Sequence, residues 1–278
     1  QKTAYEMVLR DWSSDVCSSD LVWHDPIKGK EYGLACDVAT GRNNDTSTIH
    51  VIDLETLEQC AEFQGKPNTE QFKRIIKVVG QYYNHAKVSV ERNSMGEGIC
   101  QWLAYGEEET KTEPYENFYF EKSRSKHLIP GHFTSVGNRS SMLALMLNFL
   151  IKEKTASMPA LKINSQRTIS ELKTFGWSKK GRLEGISNTD DLIMALAQFC
   201  YLREIFFLSD AQVTGRGLFA DPDELEKKED EIRKKHFAYQ PSSPEEQLEQ
   251  FAKMGYYIAK PIEKEINVFS PEFDFNEI

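Results

Sequence analysis

The sequence predicts an α/β protein built on a mixed sheet, in which three antiparallel strands are followed by parallel strands and helices flank the whole. Three observations lead there. The run from Tyr32 to Asp53 reads as a strand, a turn at Gly41-Arg42-Asn43-Asn44 and a returning strand, because apolar and β-branched residues flank turn-forming ones. Thr56 to Phe63 adds a third short strand, which Gly65-Lys66-Pro67-Asn68 breaks. Phe72, Ile75, Ile76, Val79 and Tyr83 then recur at the spacing of one helical face, and the strand Ala86 to Glu91 follows. A helix joining two strands of one sheet is a crossover, so that fourth strand runs parallel to its neighbour.

The remaining elements follow in order. Residues 1–21 contain the Ser/Asp-rich stretch Asp11 to Leu21, which has neither a helical nor a strand period and resembles translated sequencing-adapter read-through. A non-native or disordered leader is expected there, with the chain proper resuming near Val22 and with Trp23 and Pro26 leading into the first strand. Thr69 is expected to cap the first helix. Arg92 to Gly96 turns into a second helix near Glu97 to Ala104, and Glu107 to Pro114 is a polar loop. Asn117 to Phe120 is a candidate fifth strand, followed by a basic loop from Lys122 to His127. A helix runs from about Arg139 to Lys152 with Met142, Leu145, Met146, Phe149 and Leu150 on its apolar side. Thr168 to Phe175 and Arg182 to Glu184 bracket Gly176 to Gly181, a Gly- and Lys-bearing hairpin or loop. The last helix opens at Asn188-Thr189-Asp190-Asp191 and continues through Leu192, Ala195, Leu196, Phe199 and Leu202. The folded unit therefore spans 22–208, and the charged, Pro-bearing residues 209–278 form an acidic tail expected to be disordered or partner-binding.

Composition bounds the function. A chain of 278 residues with 40% hydrophobic content buries one sizeable core. No apolar run approaches the roughly 20 residues of a membrane span, and no secretory leader pattern opens the chain, so an intracellular protein is expected. Cys17, Cys36, Cys60, Cys100 and Cys200 are scattered without CxxC spacing, which argues against a disulfide framework and a zinc site. The net charge of −9 is unevenly distributed: Ser209 to Ile278 holds 9 Lys+Arg against 16 Asp+Glu, while Glu121 to Arg182 holds 12 basic residues against 3 acids. A basic surface suited to a phosphate backbone is therefore available within a neutral body.

Acids at the ends of apolar strands are unusual, because a buried carboxylate is costly unless it is well hydrogen-bonded or meets a cation. Asp37 ends the first strand and Glu91 the fourth; as parallel neighbours these strands bring the two acids to one edge. Asp190 and Asp191 open a helix that can cross the same edge. Asp191 shares a side with Ala195 and is the preferred ligand, with Asp190 a helix-end acid or second ligand. Gathered carboxylates repel and take up protons unless divalent cations keep them ionised. With no His/Cys cluster nearby, the inference is a hard-metal site for Mg²⁺ or Mn²⁺. Two such ions about 3.5–4 Å apart suit phosphodiester hydrolysis.

These residues also carry a resemblance. Asp37-Val38-Ala39-Thr40-Gly41 with Asp45-Thr46-Ser47, Val88 to Gly96, Glu171 to Phe175, and Asn188 to Ala195 resemble, in this order, the C-terminal nuclease domain of the large terminase subunit of tailed bacteriophages. The resemblance spans about Trp23 to Phe207. It implies a ribonuclease H-like fold in which Asp37, Glu91 and Asp191 are catalytic and bind two Mg²⁺ or Mn²⁺ ions, with Asp190 a further metal residue and Asp45 a supporting acid. It implies an endonuclease that cuts concatemeric viral DNA during genome packaging in the cytoplasm of the infected bacterial host, with the portal protein and small terminase subunit as partners. In that family the nuclease follows a packaging ATPase, yet no GxxxxGK[ST] pattern occurs here, so ATP hydrolysis is not expected and the chain reads as a natural or assembly-generated fragment. Lys122, Arg124, Lys126, Lys179, Lys180 and Arg182 are the expected DNA phosphate contacts. Arg92 either joins them or pairs with a neighbouring acid. The alternatives are a non-catalytic module docking the motor or portal, a junction resolvase of the same fold and, with least support, an actin-like ATPase built on Asp37 to Gly41.

Overall fold

A computed structural model describes residues 20–39, 45–123, 127–151, 160–177, 183–185 and 190–207. Five strands form its main sheet: β1 (Asp20–Val22), β2 (Tyr32–Asp37), β3 (Ser47–Asp53), β4 (Gln59–Gly65) and β5 (Lys87–Val90), in the order β1-β4-β3-β2-β5. β2, β3 and β4 are antiparallel, and β5 lies parallel to β2 with Gly33 opposite Lys87 and Cys36 opposite Val90. This is the predicted mixed sheet. The crossover between β4 and β5 is α1 (Thr69–Tyr82), which buries Phe72, Ile75 and Ile76. Its cap is Asn68 rather than Thr69: the Asn68 carboxamide oxygen accepts from Gln71 N while the Gln71 side chain accepts from Asn68 N, so two orphan amides are satisfied at once.

Two boundaries differ from the sequence reading for local reasons. The third strand begins at Gln59, not Thr56, because Asp53 Oδ1 accepts from Glu55 N and Thr56 N and folds those residues into a turn. At the other end of the sheet, Asp20 and Leu21 of the expected leader pair with Phe63 and Glu62 as part of β1. Residues 1–19 lie outside the described residues, as do the turn at 41–44, Lys152, residues 178–182, Asn188 and Thr189, and the tail from 208.

α2 (Gly96–Tyr105) follows β5 and covers, with α1, the face bearing Leu34, Cys36, Val88 and Val90. The expected fifth strand is realised as a parallel bridge between Val88 and Phe118, then β6 (Phe120–Lys122), which pairs antiparallel with β7 (Leu128–Pro130). The opposite face, which carries Ala35, is covered by α3 (Val136–Ile151), α4 (Gln166–Lys173) and α5 (Asp191–Leu202). Between α4 and α5 stands a hairpin, β8 (Phe175–Trp177) with β9 (Leu183–Gly185). α5 ends in a π-helical turn, Arg203–Phe207, whose Phe207 stacks on Phe199 at 4.8 Å. Both rings lie on Gly33 of β2, where a Cβ would stand 2.7 and 2.8 Å from them. That contact, possible only at glycine, presses α5 directly onto the central strand. No helix among the described residues is long and apolar enough to cross a membrane.

Candidate metal centre

The alternation of the two parallel strands decides where their terminal acids emerge. Ala35 of β2 packs with the α5 layer, and Ser89 of β5 accepts a hydrogen bond from Gln198 Nε2 of α5 at 2.7 Å. Two residues on, Asp37 and Glu91 point to the same side. Glu91 N donates to Cys36 O at 2.9 Å, which continues the ladder and sets the two acids side by side. Burial first, then the charges of Glu91, Asp191 and Asp190, push the Asp37 carboxyl well above the usual carboxylate range.

The N-terminus of α5 supplies the next acid. Asp191 Oδ2 accepts from both Thr46 N and Thr46 Oγ1 at 2.8 Å. Its backbone carbonyl accepts from Thr48 Oγ1 at 3.1 Å, and the carbonyl of Leu192 accepts from His50 Nε2 at 2.9 Å. Burial raises the Asp191 pKa, the Thr46 bonds oppose that shift, and the charges of Asp190 and Asp45 add to it. Asp45 thus lies within the electrostatic reach of Asp191. Asp190 occupies the N-cap position of α5 but caps nothing; its carboxylate pairs with Arg139 of α3.

The helix end is capped instead by Glu171 of α4, whose Oε1 accepts from Ile193 N at 3.4 Å. Burial first, together with the Asp191 and Asp190 charges, pushes Glu171 up to about 7. No role was assigned to this residue from the sequence. The signal for it is a helical one: Thr168, Glu171 and Leu172 form the buried face of α4, and an acid on such a face needs a partner.

Arg92 does not pair with Glu91. Its guanidinium donates to Glu121 and, at 3.1 Å, to the carbonyl of Gly131, and it lies 5.1 Å from the ring of Phe133. Lys122 closes β6. Arg124, Lys126, Lys179, Lys180 and Arg182 lie outside the described residues, so the expected DNA track is represented only by Arg92 and Lys122.

Among the described residues no three His, Cys, Asp or Glu side chains already form a ligand shell. The carboxylate of Asp191 is drawn toward Thr46 and that of Asp190 toward Arg139. The donor set nevertheless fits a hard divalent cation. Asp37 and Glu91 stand side by side, every charge acting on Asp37 is negative, and a cation between the carboxylates relieves that repulsion.

Fold and site together define an α/β protein with a carboxylate pair at the C-terminal ends of adjacent parallel strands, faced by acids on a helix N-terminus. No family model matches the sequence, and no curated protein does. The chain is similar to solved structures of terminase nucleases. The large terminase nuclease from thermophilic phage G20c with bound magnesium is 19% identical over 65% of this chain and 85% of that one, with a TM-score of 0.47. The Thermus phage P74-26 large terminase nuclease domain is 19% identical over 65% and 83%, with a TM-score of 0.44. The human cytomegalovirus terminase nuclease domain, Mn soaked and inhibitor bound, is 11% identical over 62% and 83%, with a TM-score of 0.37.

Proposed function

We propose that this chain is a divalent-metal-dependent DNA endonuclease that cuts concatemeric viral DNA during genome packaging. The observation that carries the reading is the Asp37–Glu91 pair, two half-buried acids set side by side at the ends of parallel strands within the field of Asp191 and Asp190. Asp37, Glu91 and Asp191 would hold two Mg²⁺ or Mn²⁺ ions, with Asp190 as a further ligand and Asp45 as a supporting charge. Bound there, the ions supply an activated water and charge stabilisation at the phosphodiester.

The chain's own residues provide the setting. Asp37 and Glu91 present their two carboxylates from one sheet edge. Thr46 holds the Asp191 carboxylate, and Glu171 caps α5 in place of Asp190, whose carboxylate is held by Arg139 instead. Arg139, paired with Asp190 beside the acids, would be a further guanidinium for a phosphate oxygen. Lys122, Arg124, Lys126, Lys179, Lys180 and Arg182 are the proposed backbone contacts, which give affinity with little sequence choice. Arg92, held by Glu121, is a weaker candidate for that role than the sequence reading allowed. The portal protein, the small terminase subunit and the host cytoplasm complete this reading as its partners and setting.

Supercoiled plasmid incubated with Mg²⁺ or Mn²⁺ tests it. Nicked and linear products should appear and should vanish with EDTA and with Asp37→Ala; cleavage that survives Asp37→Ala overturns the assignment. A preference for four-way junctions over linear duplex would point to resolvase activity instead.

A further inference from the structure

Thr46, just before β3, and Thr48 and His50 within it stand on one side of the chain, because side chains two apart in extended backbone share a face. All three reach the first turn of α5. Thr46 donates twice to the Asp191 carboxylate, Thr48 donates to the Asp191 carbonyl and His50 Nε2 donates to the Leu192 carbonyl. Asp191 is therefore gripped at its side chain and at its backbone by one strand. Only Oδ2 of its carboxylate takes hydrogen bonds among the described residues, which leaves Oδ1 for another partner.

A buried network stands behind this ladder. His50 is neutral, its pKa lowered first by burial; with Nε2–H on a carbonyl, its Nδ1 accepts from Gln59 Nε2 at 2.8 Å. Gln59 Nε2 also donates to Glu62 Oε2 at 3.2 Å, and Gln59 Oε1 accepts from the amides of Asn164 and Ser165 at 2.9 Å. Glu62, 2% exposed, further accepts from Ser165 Oγ and Arg167 Nε at 2.9 Å and from Thr168 Oγ1. The chain of bonds ends on α4, the helix whose Glu171 caps α5 from the other side. Both sides of the first turn of α5 are thus tied to one rigid polar core.

We infer that Thr46 is a positioning residue for the metal centre: its two donors fix one oxygen of Asp191 so that the other is presented as a ligand, and the Thr48–His50–Gln59–Glu62 ladder holds the helix turn beneath it. The inference rests on the nuclease reading. A carboxylate held this way does not have to be ordered when a cation arrives, so the gain appears in metal affinity.

The test uses Mn²⁺ alone, titrated calorimetrically into the full chain without DNA, alongside plasmid cleavage at saturating and limiting DNA. Thr46→Val keeps the shape and the backbone donor but removes the hydroxyl. It should weaken Mn²⁺ binding about tenfold, at the low end of the range for groups behind a ligand. It should also lower kcat with KM for DNA unchanged, while the melting temperature of the metal-free protein stays close to that of the wild type. Thr46→Ser restores the hydroxyl and should recover Mn²⁺ affinity. Equal Mn²⁺ affinity in wild type and Thr46→Val, or failure of Thr46→Ser to rescue, overturns the positioning role. Wild-type protein that binds no Mn²⁺ overturns the functional reading beneath it, so the two failures are distinguishable.

Discussion

At Asp37 the physical situation is a carboxyl whose pKa burial and three neighbouring acids push well above the usual carboxylate range. Replacing it with asparagine keeps the shape, supplies a donor to Glu91 and removes the charge conflict. Asp37→Asn should therefore raise the melting temperature of the metal-free protein by about 2–4 °C, the shift that roughly 1 kcal/mol produces in a chain of this size. The same variant should lower plasmid cleavage by more than about 100-fold, beyond the effect of losing a group behind a ligand. Glu171 gives a pH prediction with a definite sign. Its folded pKa, about 7, lies above the ordinary glutamate value of 4.5, so its protonated form favours the folded chain. That stability is fully present below pH 4.5 and is lost as the pH rises through 7; a shift of this size corresponds to about 3 kcal/mol. Urea midpoints of metal-free protein should fall over this window, and Glu171→Gln should flatten the profile. Asp37, Glu91 and Asp191 were legible in the sequence because an acid at the end of an apolar strand or the start of an apolar helix breaks the pattern around it. Glu171 enters the sequence reading only as part of the Glu171 to Phe175 motif and with no role, because an acid inside an amphipathic helix looks solvated until the helix's buried face is known. Thr46 likewise carries no role there beyond its place in Asp45-Thr46-Ser47, since a hydroxyl beside a turn is usually a local cap.

The elements hold the site through two unlike devices, one polar and one of close packing. The polar device is Glu62 on β4, which gathers donors from Gln59, Ser165, Arg167 and Thr168. Glu62→Ala would leave these groups buried without their acceptor and should cost about 3–5 kcal/mol in denaturant unfolding, as breaking a buried charged pair does. The packing device is Gly96 at the start of α2, where a Cβ would lie 1.8 Å from the carbonyl oxygen of Glu91. Gly96→Ala must displace either the helix start or the strand end that carries Glu91. It should lower both stability and the melting-temperature gain on adding Mn²⁺, measured by thermal denaturation. Element types were largely readable: hydrophobic period separated α1 and α3 from the strands, and the crossover argument gave β5 its direction. Boundaries were less so. The Asp53 turn shortened the third strand, and pairing with β4 drew Asp20 and Leu21 into the sheet, both outcomes of local bonding that periodicity does not encode.

In the whole molecule, the acids stand at the carboxyl ends of the parallel strands, the edge at which open α/β sheets present their ligand sites. Helices cover both faces, so the loops at that edge are where chemistry can reach solvent. A cation that binds the folded chain and not the unfolded one stabilises it by mass action, by about 2.7 kcal/mol at one hundred times its dissociation constant. Mn²⁺ should therefore raise the melting temperature of the wild type and leave Asp37→Asn nearly unchanged. The mixed sheet was legible because its order follows from chirality and connection rules. The proposed DNA track rests only on a local excess of charge, since side-chain direction along a basic loop is not fixed by sequence pattern. The most direct measurement is a crystal soaked in Mn²⁺ and recorded at the manganese absorption edge. The account predicts anomalous peaks bounded by Asp37, Glu91 and Asp191; a cleavage-active protein with no peak at those acids would contradict it.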